Sequence, residues 1–326
     1  MKKLFCIAIS CVLLLAGCAP GGGDAASDGK ITAVASLFPQ YDFTRIVGGD
    51  RVSVKLLLPP GSESHTFDPR PADIAGIYAA DLFIYTGAEM EPWAARILDG
   101  MPANLRVVDA SSGVEAIRES HGEDEHDHDH GEEEHEHDEH EEHDHGGDEH
   151  AYDPHIWLDP TLAMVMVDNI AAGLCAADPE GGEYYLANAE RYKAELDRLD
   201  QTIWEAVRAR KTEAVVFGGR FAYLYFLRHY ELPYLTAYDS CSSQSEPSFS
   251  RIAELTRYIS ERGTPCVYHE ELADPVVARA LCEGTGARCL LFSTAHSVTR
   301  QQFDDGITYL DIMYANLENL KVGLGN

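Results

Sequence analysis

From Glu183 to Arg210 the sequence carries one unbroken amphipathic pattern. Tyr192, Leu196, Leu199, Ile203 and Val207 recur at three- and four-residue steps, with no Gly or Pro between them. A helix of that length runs roughly 40 Å, enough to join two domains as a strut. On its N-terminal side, "ITAVAS", "VSVKLLL", "DLFIYTG" and "LRVVDA" are short apolar or β-branched runs bounded by turn residues, and helix-like stretches separate them. A further helical stretch covers Leu162 to Cys175. On its C-terminal side the alternation resumes with "EAVVFGG", "LPYLTAY", "TPCVYHE" and "RCLLFST". Such alternation predicts parallel βαβ units. The fold class is therefore α/β with two lobes, each a mostly parallel four-stranded sheet flanked by helices, joined by one long rigid helix. Ligands of such proteins lie in the cleft between lobes. The corresponding divisions are 31–181 for the first lobe, 182–211 for the linking helix and 212–326 for the second lobe.

The N-terminus points to a compartment. Lys2 and Lys3 precede the apolar run Leu4 to Leu15, which ends in "LLAGC". A charged start, a short apolar core and small residues before a cleavage point make a secretory signal. Cys directly after Leu-Ala-Gly is its bacterial lipoprotein form, so residues 1–18 read as a signal ending at a lipidated Cys18. Residues 19–30 read as a flexible tether. The expected location is the extracytoplasmic face of a bacterial cell membrane, reached through the lipid on Cys18. With Cys6 and Cys11 lost with the signal, Cys175, Cys241, Cys266, Cys282 and Cys289 remain, an odd number in an oxidising location. None has CxxC spacing, and one or two disulfides in the second half are open.

The formal net charge is −30, and residues 121–150 hold sixteen carboxylates with no Lys or Arg. That segment also holds ten histidines: His121, His126, His128, His130, His135, His137, His140, His143, His145 and His150. Such a composition cannot bury apolar surface, so a disordered loop is expected over 120–150. Its imidazoles are potential metal donors, and the expectation is an accessory collector that binds several ions weakly. Nothing here has the basic footprint that nucleic acid requires.

Five histidines lie elsewhere: His65, His155, His229, His269 and His296. His65 in "LLLPPGSESHTFDPRPADI" follows a predicted strand, and His155 in "YDPHIWLDP" enters a helix. Loops leaving the C-terminal ends of parallel strands are where α/β domains bind ligands. The stretches "LFPQYDFTRIVGGDRVSVKLLLPPGSESHTFDPRPADIAGIYAADLFIYTGAEMEPW", "DPHIWLDP" and "HEELADPVVARALCEGTG", in that order around the long helix, resemble the zinc and manganese solute-binding lipoproteins of bacterial ABC transporters. The resemblance covers nearly the whole mature chain. It implies a buried metal between two lobes, with the first two ligands on His65 and His155. The third family position is usually a His, and here it falls on Arg220, which has no lone pair to give. The resemblance then points to Glu246 in "YDSCSSQSEPSF", with Gln244 beside it, and to His296 in "LFSTAHSV". Arg220 would hold Glu246 or a water instead. His229 would point elsewhere, and His269, Glu270 and Glu271 read mainly as packing or capping.

Imidazole donors favour zinc and carboxylates manganese, so Zn2+ leads and a manganese (Mn2+) or iron receptor of the same family is the alternative. The leading function is a receptor that captures zinc and hands it to an ABC permease, as a monomer and without catalysis. A metalloenzyme is the reading from another class, but neither HExxH nor a nucleophile elbow occurs. An adhesin role finds no support in the residues. A long helix between the lobes should resist hinge closure, so metal release is expected to involve small lobe shifts and loop rearrangement.

Overall fold

The computed structural model describes residues 29–118, 152–241 and 246–326. The Cys18 lipidation point, the ten-histidine run and Gln244 lie outside the described residues.

The first lobe alternates β1 (Ile31–Ala35), α1 (Phe38–Gly48), β2 (Val52–Leu56), α2 (Pro71–Tyr78), β3 (Leu82–Tyr85), α3 (Ala94–Leu98) and β4 (Arg106–Asp109). Its four strands are parallel, in the order β2-β1-β3-β4. Ala33, Val34 and Ala35 of the central β1 are buried in succession, as a strand covered on both faces requires. A two-residue antiparallel pair follows, β5 (Ile117–Arg118) with β6 (Tyr152–Asp153). Next come α4 (Pro160–Ala177) and α5 (Gly182–Arg208). Asp159 caps α4 by accepting from the Thr161 amide at 2.7 Å, and Pro160 suits the first turn, where no amide is needed.

The second lobe continues with β7 (Val215–Phe217), α6 (Leu224–His229), β8 (Tyr234–Thr236), α7 (Phe249–Arg262), β9 (Cys266–His269), α8 (Val276–Thr285) and β10 (Arg288–Leu291), then α9 (Arg300–Asp304) and α10 (Tyr309–Gly323). Its sheet is also parallel, ordered β10-β9-β7-β8.

α5 is the 27-residue strut that the amphipathic pattern predicts. Its inward stripe runs from Tyr185 through Tyr192, Leu196, Leu199 and Ile203 to Val207, all buried. The N-terminal half packs on α1 and α4, and Asn188 donates to the Val47 carbonyl at 2.9 Å. The other half meets the second lobe, where Asp200 accepts from the Tyr230 hydroxyl at 2.9 Å and Trp204 packs edge-on against Tyr230. One apolar cluster runs without a break from Phe43 and Val108 in the first lobe, through Leu196, to Phe292 and Leu317 in the second. Buried polar contacts tie the lobes as well. The Trp157 indole donates to the Thr294 carbonyl at 2.7 Å, and the Tyr309 amide donates to Asp42 at 2.8 Å. Close-packed cores resist sliding.

α4 is apolar enough by length and composition to cross a membrane, but it lies between the first sheet and α5. Its approach to β4 depends on Gly173, where a Cβ would sit 2.2 Å from Val108 Cγ2. Gly173→Ala is expected to destabilise the protein by about 1–3 kcal/mol through overpacking. Urea unfolding checks this, and an unchanged midpoint would mean that α4 can shift freely against the sheet.

No disulfide joins the five described cysteines.

Candidate metal centre

The loops that leave the C-terminal ends of the parallel strands converge between the lobes. His65 follows β2, Arg220 follows β7, Cys241 follows β8, Glu270 and Glu271 follow β9, and His296 follows β10. His155 arrives from the short strand β6, immediately before α4. All but His155 line one cavity of about 350 Å³, together with Glu63, Tyr238 and Glu246.

At its inner end, donor atoms of His65, His155 and Cys241 all lie within 4.8 Å of one another. The imidazole centroids of His65 and His155 are 5.4 Å apart, and that of His296 lies 6.1 and 6.3 Å from them. His155 and His296 are both buried. Local structure fixes each ring. Glu63 accepts from the amides of His65 and Thr66, both at 3.0 Å, folding the "SESHT" loop on itself. Asp153 accepts from the His155 amide and lies 2.8 Å from His155 Nδ1. A carboxylate only accepts, so Nδ1 carries the hydrogen and Nε2 keeps its lone pair. Nε2 of His155 and Nε2 of His65 are buried with no hydrogen-bond partner among the described residues. Buried polar atoms are seldom left so, and a cation is what two unpaired imidazole lone pairs can satisfy.

His296 is oriented by the same logic. The Thr294 hydroxyl donates to Glu271 at 2.7 Å, so its oxygen accepts from His296 Nδ1 and the lone pair again falls on Nε2. The loop carrying it is held by Asn316, which exchanges hydrogen bonds with the Ser293 backbone at 2.7 and 2.8 Å. Ala295 within it takes a left-handed φ of 58°, strain of the kind found where a structure over-determines a functional loop.

Burial pushes the His65 pKa down to about 3, helped by His155 and His296 beside it. Burial likewise lowers His296. Both therefore stay neutral at ordinary pH, as ligands must. Burial lowers His155 too, but Cys241 and Asp153 outweigh it and raise its pKa overall, so a metal bound at Nε2 takes the place of a proton there.

The other residues named from the sequence occupy different places. Glu246 lines the cavity but is exposed, and its carboxylate accepts from the Tyr238 hydroxyl at 2.9 Å. Arg220 lines the cavity beside it, with its amide donating to Glu270 at 3.1 Å, and no ion pair joins it to Glu246 among the described residues. His229 is held on α6 by Asp200 at 2.7 Å and Asp159 at 3.4 Å, away from the cluster. His269 turns its Nδ1 to the Glu270 carbonyl. The residue that sequence reasoning missed is Cys241. The signal available was the odd cysteine count in an oxidising location, together with its position in the loop searched for a carboxylate.

The family described as "Zinc-uptake complex component A periplasmic", ZnuA, matches residues 33–323. The chain belongs to the ZnuA family. It is 36% identical to the high-affinity zinc uptake system protein ZnuA of Bacillus subtilis (strain 168), covering 98% of this chain and 97% of that one. It is 32% identical to the zinc-binding lipoprotein AdcA of Streptococcus pneumoniae serotype 4, covering 98% of this chain but 61% of AdcA. Among solved structures, the Zn(II)-bound ZnuA-like domain of Streptococcus pneumoniae AdcA superposes with a TM-score of 0.72 at 28% identity, over 91% of this chain and 100% of that one. The two-lobe α/β architecture of this ZnuA-family chain is thus shared with a protein solved with zinc.

Proposed function

We propose that this protein is an extracytoplasmic receptor that captures Zn2+ between its lobes and delivers it to an ABC permease. The carrying observation is the pair of buried, unpaired imidazole nitrogens on His65 and His155 at the convergence of the strand-end loops. His296 stands at the margin with its own lone pair turned away from Thr294, close enough to complete the sphere after a small loop movement. Membership of a zinc-uptake family supports the cargo. Delivery, rather than catalysis, fits a cluster in which His155 is sealed by Asp153 and Trp157.

Lipid attachment at Cys18 would keep the monomeric receptor near its permease. The run of ten histidines would act as a collector that raises the local zinc concentration. The continuous core across α5 favours release by loop rearrangement with small lobe shifts over hinge closure.

Metal analysis of the full chain and of a chain lacking 121–150 tests the reading. The shortened chain is expected to retain one tightly held zinc, and the full chain to bind several more weakly. If the shortened chain retains no zinc, the cleft is not the receptor site. If it retains manganese in preference, the cargo assignment fails.

A further inference from the structure

Resting on the zinc-receptor reading, we propose that the Cys241 thiolate is a direct donor to the bound metal and makes the cleft a site for thiophilic dications, zinc and cadmium, from which manganese is excluded. A buried dication needs anionic charge in contact with it, since neutral imidazoles alone leave its charge uncompensated. The cavity holds several carboxylates, and each is already committed. Glu63 accepts from the amides of His65 and Thr66 at 3.0 Å. Glu270 accepts from the Arg220 amide at 3.1 Å. Glu271 accepts from the Thr294 amide and hydroxyl, each at 2.7 Å. Glu246 accepts from Tyr238, Asp274 pairs with Arg279, and Asp153, outside the cavity, is engaged behind the His155 ring. Cys241 is the anion-forming side chain that shares the 4.8 Å cluster with the two imidazoles.

The thiol lies beside both rings. Cys241 Sγ lies 4.0 Å from His65 Nδ1 and 4.0 Å from His155 Nδ1. Around tetrahedral zinc, bonds of about 2.3 Å to sulfur and about 2.0–2.1 Å to nitrogen place sulfur and nitrogen roughly 3.6 Å apart. His155 Nδ1 faces Asp153, so the separation that counts is the one among the donor atoms of the three residues, which all lie within 4.8 Å of one another, about an ångström wider than a closed tetrahedral site. The thiol is buried, at 7% exposure, which favours a ligand or packing role over a freely reactive thiol.

The chemical consequence concerns selectivity. Arg220 stands where a third imidazole would be expected, and a thiolate arriving from the next loop restores the donor count while adding one negative charge. Thiolate and imidazole together suit zinc and its heavier congener, whereas manganese prefers oxygen donors.

Cobalt- and cadmium-loaded full-length protein provides the test, because sulfur-to-metal charge transfer gives near-ultraviolet absorption that histidines and carboxylates do not produce. One equivalent of metal is expected to give a band of single-thiolate strength, lost in Cys241→Ser and kept in Cys175→Ser and Cys282→Ser. Zinc affinity of Cys241→Ser should fall at least tenfold and cadmium affinity further, while its discrimination against manganese narrows. If wild-type protein holds one zinc tightly but shows no such band, or keeps the band in Cys241→Ser, the proposal is overturned and the zinc receptor reading stands. If wild-type protein holds no tight zinc and gives no such band, both fall.

Discussion

His155→Ala, made in a chain lacking 121–150, is expected to weaken zinc binding by on the order of 10²–10³-fold. Protein zinc sites of four donors release about 10–16 kcal/mol, so one donor carries about 3–4 kcal/mol, which corresponds to that factor. His155 is the proposed donor least able to be replaced by a neighbour. It is 0% exposed, its ring is fixed by Asp153, and Trp157 packs edge-on against it at 5.3 Å. Asp153→Asn should cost less, about 10–100-fold, because it loosens the ring without deleting the donor. His229→Ala should leave zinc affinity unchanged, since that ring is held by Asp200 and Asp159 away from the cluster. Competition with a chromophoric chelator reads all three variants. Equal affinities for His155→Ala and the parent would place the zinc elsewhere.

The second large effect concerns stability and pH. Glu91 is 1% exposed in the first lobe, accepting from the Ser36 hydroxyl at 2.5 Å and from the Thr86 amide at 3.0 Å. Burial pushes its pKa up to about 8 in spite of those hydrogen bonds, with the nearby Asp109 adding to the rise. The folded protein therefore binds a proton that the unfolded chain releases near pH 4.5. Its favourable contribution is fully present below that pH and is lost as pH rises through about 8. Each pH unit in the window carries about 1.36 kcal/mol, on the order of 5 kcal/mol at most across the whole of it. Glu91→Gln keeps the size and one acceptor and never ionises. It is expected to be close to neutral at pH 5 and to stabilise the protein by several kcal/mol at pH 9. Urea unfolding of both proteins in a chelating buffer at pH 5, 7 and 9 measures the difference. Parallel pH profiles for the two would show that the Glu91 carboxyl does not ionise inside the fold.

The layout of the protein was readable along the chain because its signals are local. The inward stripe of α5 is a periodicity within one segment, and the four strand–helix alternations on each side are runs of a few residues bounded by turns. His65 and His155 were singled out by the family resemblance of the stretches that carry them. Each lies in a stiff Pro- and Asp-containing loop that its own neighbours fold, through Glu63 in one case and Asp153 in the other. Glu246 was a reasonable candidate by position in its loop. Its carboxylate is drawn to Tyr238, a contact that no periodicity announces.

The sequence by itself determined the two-lobe α/β plan and the strut, because hydrophobic period and turn chemistry act over a few residues, and its family resemblance singled out His65 and His155. The tertiary structure alone decided that Cys241 joins them. It stands 176 positions from His65 and 86 from His155, and only the packing of both lobes along α5 brings those loops to one point. Donor geometry of that kind is a through-space property of several strand ends, so the sequence around any one of them does not contain it.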